Sequence, residues 1–383
     1  MMKSRLPAVF SFLMSALLLA QYCPQTYASK LSLPFKKTDD SGQVINKLSI
    51  NKHYTLSIYA DNLPGVRTLA VTSHGDLIIT QPNKGTLSLI LKDSANGKRL
   101  LLAEGLNRPH GLTLHDGFLY LAETDTVLRI PYDSQQHKFS GKPVTLIKNS
   151  FPGGGNHWTR TVKISPHNKL LVSVGSSCNV CIERSAMRAS IMQYELDGSK
   201  PTLYAEGLRN TVGFDWHPVN HLMYGVDNGR DLLGDDRPPE ELNQINQGQH
   251  YGWPFYYGNN NIDTTFRKQP PSGLMPIPAR HFFTAHSAPL SLLFLRHNPH
   301  LPNTALITLH GSWNRSEKSG YKVVAVSFLA DGSIAQTDFL SGFLQHNGRV
   351  LGRPVDLAED KAGNIYISDD YAGRIYKATP NNQ

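Results

Sequence analysis

Cysteine is almost missing from this chain. There are 3 in 383 residues, and one of them, Cys23, falls in the N-terminal apolar segment. That leaves Cys178 and Cys181 beyond it, too few for a disulfide framework or a four-thiolate metal centre. Ile182 follows the second cysteine, so the pair is not a haem-attachment motif. Charge is also sparse, at 18% of residues, and no block of Lys or Arg interrupts it. The balance of +8 falls to +6 without Lys3 and Arg5, a dispersed excess that argues against nucleic-acid binding and suits a small anionic ligand. No apolar run of membrane length follows residue 30, and none of the later chain sustains a 3.6-residue apolar period. A helical bundle and a chain with several membrane-spanning helices do not fit that pattern.

What is present at the N-terminus is the pattern of a secretory signal peptide over residues 1–28. Lys3 and Arg5 precede "PAVFSFLMSALLLA", and "TYA" supplies a cleavage site. The apolar run is short for a membrane span, and "LAQYC" fits a lipoprotein site poorly. The expectation is a chain exported to the periplasm or beyond, with no stable membrane insertion after cleavage. In that oxidising compartment Cys178 and Cys181 would form a local disulfide.

Residues 29–383 repeat one unit, an apolar strand, a turn with Gly, Asn or Asp, and a second apolar strand. Copies begin at Val66, Arg108, Trp158, Asn210, Ala288 and Arg353. Further strands are expected at "LSLILKDS", "TVLRIPYD", "SIMQYELD", "KVVAVSFLADG" and "GRIYKATP". Six copies predict an all-β, six-bladed β-propeller with four-stranded antiparallel blades around a central channel, in a single domain. The C-terminal strand would pair with "HYTLSIYA" near the N-terminus and close the ring. Residues 231–285, rich in Pro, Asn, Gly and aromatics, read as a loop-rich insertion over one face. His157, Arg209, His286 and Arg353 all stand at or just before the first strand of a copy, and so would converge on the channel mouth.

At these positions the chain resembles the soluble glucose/sorbosone dehydrogenases that use pyrroloquinoline quinone (PQQ) and calcium, the sorbosone or aldose branch most. The resemblance rests on "GLNRPHGL", "GNHWTRTVKISPHNKLLVSVGSSCNVC", "EGLRNTVGFDWHP", "DNGRDLLGDDRPPEELN", "HYGWPF", "HGSWNR" and "GRPVDLAEDKAGNIYISDD". It implies oxidation of an aldose or sugar aldehyde, with His157 as the base that takes a proton while a hydride leaves for PQQ. It implies that Arg209 and Asn210 face the quinone oxygens, Arg209 stabilising charge there. Cations for the three PQQ carboxylates would be Arg353, Arg315 and Arg349, with Trp313 as a flat wall and His110 and His286 lining the channel. Calcium would rest on the backbone carbonyls of Gly229 and Arg230, with Asp235 and Asp236 as side-chain alternatives. The implied partners are a sugar and an unidentified periplasmic electron acceptor. A calcium-dependent propeller hydrolase or lactonase, or a binding propeller without catalysis, are the competing readings; the hydrolase would need carboxylates converging from several blades.

Overall fold

In a computed structural model of the chain, residues 30–31, 41–92, 98–148, 151–152 and 154–381 are described. The expected signal peptide, residues 1–28, lies outside them. Six antiparallel sheets form a ring. Blade I comprises Leu69–Val71, Leu77–Gln81, Thr86–Ile90 and Arg99–Ala103, and blade II comprises Leu112–His115, Phe118–Ala122, Val127–Asp133 and Val144–Ile147. Blade III is Arg160–Ile164, Leu170–Val174, Ser190–Tyr194 and Thr202–Glu206; blade IV is Thr211–Trp216, Met223–Asp227, Glu240–Gln244 and His281–Phe283. Blade V is Pro289–Phe294, Thr304–Leu309, Lys322–Phe328 and Ile334–Ser341. Blade VI takes Pro354–Glu359, Ile365–Asp369 and Arg374–Pro380 from the C-terminus and Tyr54–Ala60 from the N-terminus. That last pairing, with Leu56 opposite Ala378, closes the ring as the sequence suggests. Short extra strands widen blades I, III and V at their outer edges.

The burial pattern explains why the second strands read as unbroken apolar runs. Leu77–Gln81, Leu170–Val174, Thr304–Leu309 and Ile365–Asp369 are buried at every residue, because each is covered on both faces by neighbouring blades. The core is accordingly six interblade cores. Between blades II and III, for example, Tyr120 and Ala122 pack on Val162, Leu170 and Val172. The six first strands contact one another in turn around the axis. There the backbones approach so closely that a Cβ on Gly111 would overlap the backbone of Arg160 and Val162.

Residues 231–285 differ from the expectation of loops alone. They include the two outer strands of blade IV, a hairpin at Tyr256–Tyr257 and Asn261–Ile262, and Gln249–His250, which runs parallel to Thr202–Glu206. The strand Glu240–Gln244 is hidden in sequence because "EELNQ" is almost wholly polar. Its burial is bought by hydrogen bonds to Glu240 and Glu241 rather than by apolar packing alone. Among the described residues no helix is long and apolar enough to cross a membrane.

Candidate active site

The chain enters each first strand at one face of the ring, and the loops after the second strands lie at that same face. His157 comes from the loop before Arg160–Ile164. Its Nδ1 is 2.9 Å from the Ser176 carbonyl oxygen and 3.0 Å from Ser176 Oγ. A carbonyl only accepts, so Nδ1 carries the proton and Nε2 keeps the lone pair. Burial, then the Arg209 charge, and further Arg188 and Arg160, push this imidazole down to about 3, against an opposing pull from the Ser176 carbonyl. The ring is therefore neutral at ordinary pH.

Two arginines that sequence reasoning passed over hold this loop. Arg160, fully buried, and Arg188 both donate to the His157 carbonyl, at 3.1 and 3.2 Å. Arg188 also reaches the carbonyls of Pro152, Gly154 and Gly175. The next residue, Trp158, extends across to blades I and II. The Arg108 guanidinium stacks 3.9 Å above its ring, Arg67 lies 5.7 Å away, and His110 meets its edge. Arg67 pairs with Asp370 at 2.7 Å, and Asp370 accepts from His310 at 2.9 Å. Only the repeated "R-P" and "H-G" dipeptides at these loops hinted at this cluster. His110 is 5% exposed, donates Nδ1–H to the Arg160 carbonyl at 3.2 Å, and is pushed down to about 3 by burial and the Arg67 charge.

Arg209 is 4% exposed and spends all five of its N–H donors on the protein. Nε reaches the Asn179 carbonyl at 2.9 Å, and Nη1 reaches the Asn228 and Gly229 carbonyls at 3.1 and 2.7 Å. Nη2 reaches Asn179 Oδ1 at 3.0 Å and Asp231 Oδ2 at 3.3 Å. It offers its field to the site and leaves no N–H over for direct hydrogen bonding. Asn210 follows it, and its Oδ1 shares with the His157 ring the space above Gly175.

The proposed carboxylate-binding arginines divide into two groups. Arg353 and Arg349 line one open cleft of ≈ 800 Å³ between blades V and VI, with Lys47, Lys318 and Arg374 and no acidic side chain. Arg353 gives Nε and Nη2 to the His310 and Gly311 carbonyls, which leaves Nη1 without a protein acceptor among the described residues. Arg315 instead pairs with Asp236, which is 84% exposed, at 2.8 Å. Trp313 stands open on the same loop, 75% exposed. His286 spends its Nε2 on the Gly234 carbonyl at 2.9 Å, on the loop after the second strand of blade IV.

The Gly229 carbonyl already accepts from Arg209, which occupies one lone pair and sets a cation beside the second. Its N–H donates to Glu240 Oε2 at 2.7 Å, and the Arg230 side chain is committed to Asp263 at 2.6 Å. Asp235 accepts from the Ser316 amide and Asp236 pairs with Arg315, so both carboxylates are engaged by the Arg315–Ser316 segment. Cys178 and Cys181 are disulfide-bonded on the loop after the second strand of blade III. With Glu183 they are the one group of three or more metal-ligating side chains among the described residues, and bonded sulfurs offer no thiolate.

The TrAA12-like family matches this chain over residues 48–269 and 275–380. An uncharacterised protein of Borreliella burgdorferi is 32% identical, covering 88% of this chain and 91% of its own. A PQQ-dependent sugar dehydrogenase of Hypocrea jecorina is 25% identical, covering 83% and 86%. Among solved structures, the holo form of the PQQ domain of pyranose dehydrogenase from Coprinopsis cinerea shares the fold. Its TM-score is 0.73 at 21% identity, over 87% of this chain and 97% of that domain. With the matched segments spanning all six blades, the chain belongs to the TrAA12-like family, and so to the soluble PQQ-dependent sugar dehydrogenases.

Proposed function

We propose that the chain is an exported oxidoreductase that oxidises an aldose or a sugar aldehyde of the sorbosone kind, with PQQ and Ca²⁺. The observation that carries the reading is the state of His157, neutral, with Nδ1–H fixed on Ser176 and a lone pair on Nε2. A neutral imidazole of fixed tautomer is what removal of a hydroxyl proton requires. PQQ, when bound, supplies the acceptor for the hydride.

The residues fit a flat trianion. Arg353 has an unspent donor, Arg349 and Lys318 face the same cleft, and Trp313 presents an open aromatic face. An anion over this face would offset the field of Arg209, Arg188 and Arg160 at His157. Its basicity would then rise from the depressed value of the free protein toward a working range. Arg209 contributes through that field and through the loop it holds. The carbonyls of Gly229 and Arg230 are the proposed calcium ligands, Gly229 through its remaining lone pair. The reading calls for an electron acceptor, a protein or small molecule of the exported compartment. Export is supported by the N-terminal pattern and by the Cys178–Cys181 disulfide. The hydrolase reading lacks a carboxylate metal centre, since among the described residues no three carboxylates bring oxygens within metal-binding reach of one another.

Apo-protein mixed with PQQ and Ca²⁺ should reduce an electron-accepting dye when given aldoses, and a chelator should abolish this. The His157→Ala variant should lose a factor of about 10²–10⁴ in turnover, the worth of a general base, with PQQ affinity kept. Retention of a tenth of the wild-type rate would remove His157 from that role.

A further inference from the structure

Asn179 lies inside the small ring closed by the Cys178–Cys181 disulfide, and its side chain joins Arg209 to the backbone of Asp231. Its Oδ1 accepts from the Asp231 amide at 2.7 Å and from Arg209 Nη2 at 3.0 Å, while its Nδ2 donates to the Asp231 carbonyl at 3.0 Å. The side-chain amide thus pairs with the backbone of Asp231 as a neighbouring strand would. Its own carbonyl accepts from Arg209 Nε at 2.9 Å and from Trp253 Nε1 at 3.4 Å. Asp231 carries the linkage on, since its Oδ1 accepts from Asn314 of blade V at 2.6 Å. On the other side of the ring, the Cys178 carbonyl accepts from Ser176 Oγ at 2.7 Å, and Ser176 is the residue that fixes His157.

We propose that Asn179 is a positioning residue, and that the disulfide ring around it is the clasp that sets His157, Arg209 and the Gly229–Asp231 backbone relative to one another. The proposal rests on the reading of this face as the PQQ and calcium site, and it adds what holds that site together. The loop from Gly175 to Ala189 joins the second and third strands of blade III and contains no strand itself, so strand pairing does not fix the position of Asn179. A covalent link three residues apart removes most of the conformations the turn would otherwise sample. Asn179 then supplies a donor and acceptors in one fixed plane, which only an amide side chain can do for a backbone N–H and C=O together. Without its side chain, Arg209 would lose one of its five acceptors, the Asp231 amide would lose its acceptor, and the Asp231 carbonyl would keep only Arg230 Nε at 3.2 Å.

The test uses the full mature chain and two readouts. The first needs no cofactor and follows amide hydrogen exchange around Asp231 in the free protein. The second titrates PQQ in the presence of Ca²⁺. In Asn179→Ala, exchange at Asp231 should accelerate at least tenfold while the blade strands keep their protection. The PQQ dissociation constant should rise roughly ten- to hundredfold, the usual worth of a residue that orients a ligand-bearing group. Asn179→Asp keeps the acceptor for Arg209 and the Asp231 amide but turns an oxygen toward the Asp231 carbonyl, and should recover only part of each effect. The double variant Cys178→Ser, Cys181→Ser should fall between wild type and Asn179→Ala, and it carries the same test should Asn179→Ala fail to fold. Wild-type exchange and PQQ affinity in Asn179→Ala overturn the proposal, as does faster exchange with unchanged affinity. A wild-type chain that binds no PQQ refutes the cofactor reading instead, and the exchange readout then judges the clasp alone.

Discussion

Gly175 follows the second strand of blade III, and a Cβ built there would stand 2.5 Å from Asn210 Oδ1 and 2.6 Å from His157 Cβ. Both distances are far inside van der Waals contact, and neither neighbour can yield freely. His157 is tied through Nδ1 to Ser176, and its carbonyl is tied to Arg160 and Arg188. Gly175→Ala should therefore displace the imidazole and cost at least tenfold in dye-linked turnover, since misplacement of a reacting group by about 1 Å can cost 10²-fold. The interblade cores are untouched, so the melting temperature should fall by only a few degrees. Turnover equal to wild type would show that the imidazole moves without consequence. At this scale the sequence was partly legible. His157, Arg209 and Arg353 could be found because each precedes a repeated strand. Arg67, Arg160, Arg188 and Asn179 could not, because what defines them is their hydrogen-bond partners in the fold, mostly backbone groups. Backbone acceptors leave no trace in residue identity.

The first two strands of every blade were visible as elements for a physical reason, namely that they are buried between blades and must be apolar. The outer strands are less constrained. Glu240–Gln244 and His281–Phe283 of blade IV escaped notice because polar residues suffice where one face is open or a buried carboxylate is hydrogen-bonded. The closing strand Tyr54–Ala60 was visible, and its role gives a test. It pairs with the last strand from Ile375 to Pro380, and Tyr54 packs in the core between blades V and VI beside Phe339. Removing residues up to Ala60 would expose an unpaired edge and open that core. The truncated chain should aggregate or elute as a broad, expanded species in size-exclusion chromatography. A monomer that unfolds as cooperatively as the full chain would mean that blade VI holds with three strands.

For the molecule as a whole, the ring gathers cations and neutral histidines at one end of the axis, and this links stability to pH. His110 and His157 are both pushed down to about 3 in the folded state, by burial first and neighbouring arginines second. In the unfolded chain each would take up its proton near the usual 6.5. Between those values the unfolded chain binds more protons than the folded one, so stability falls as pH falls. Each histidine contributes a slope of up to about 1.4 kcal/mol per pH unit within that window. His110 is the cleaner probe, because it is buried beneath Trp158 and is not the proposed base. His110→Gln keeps a donor for the Arg160 carbonyl and removes the titration. Guanidinium unfolding measured from pH 6 to pH 4 should then show a stability slope smaller than wild type by about one proton. Equal slopes in the two proteins would mean that His110 is protonated in the fold, and that an anion or water at the channel mouth offsets the field of Arg67 and Arg160 there. A bound trianion would act in the same sense. The slope should therefore also shrink in wild-type protein saturated with PQQ, because His157 would then take up its proton at a higher pH in the folded state.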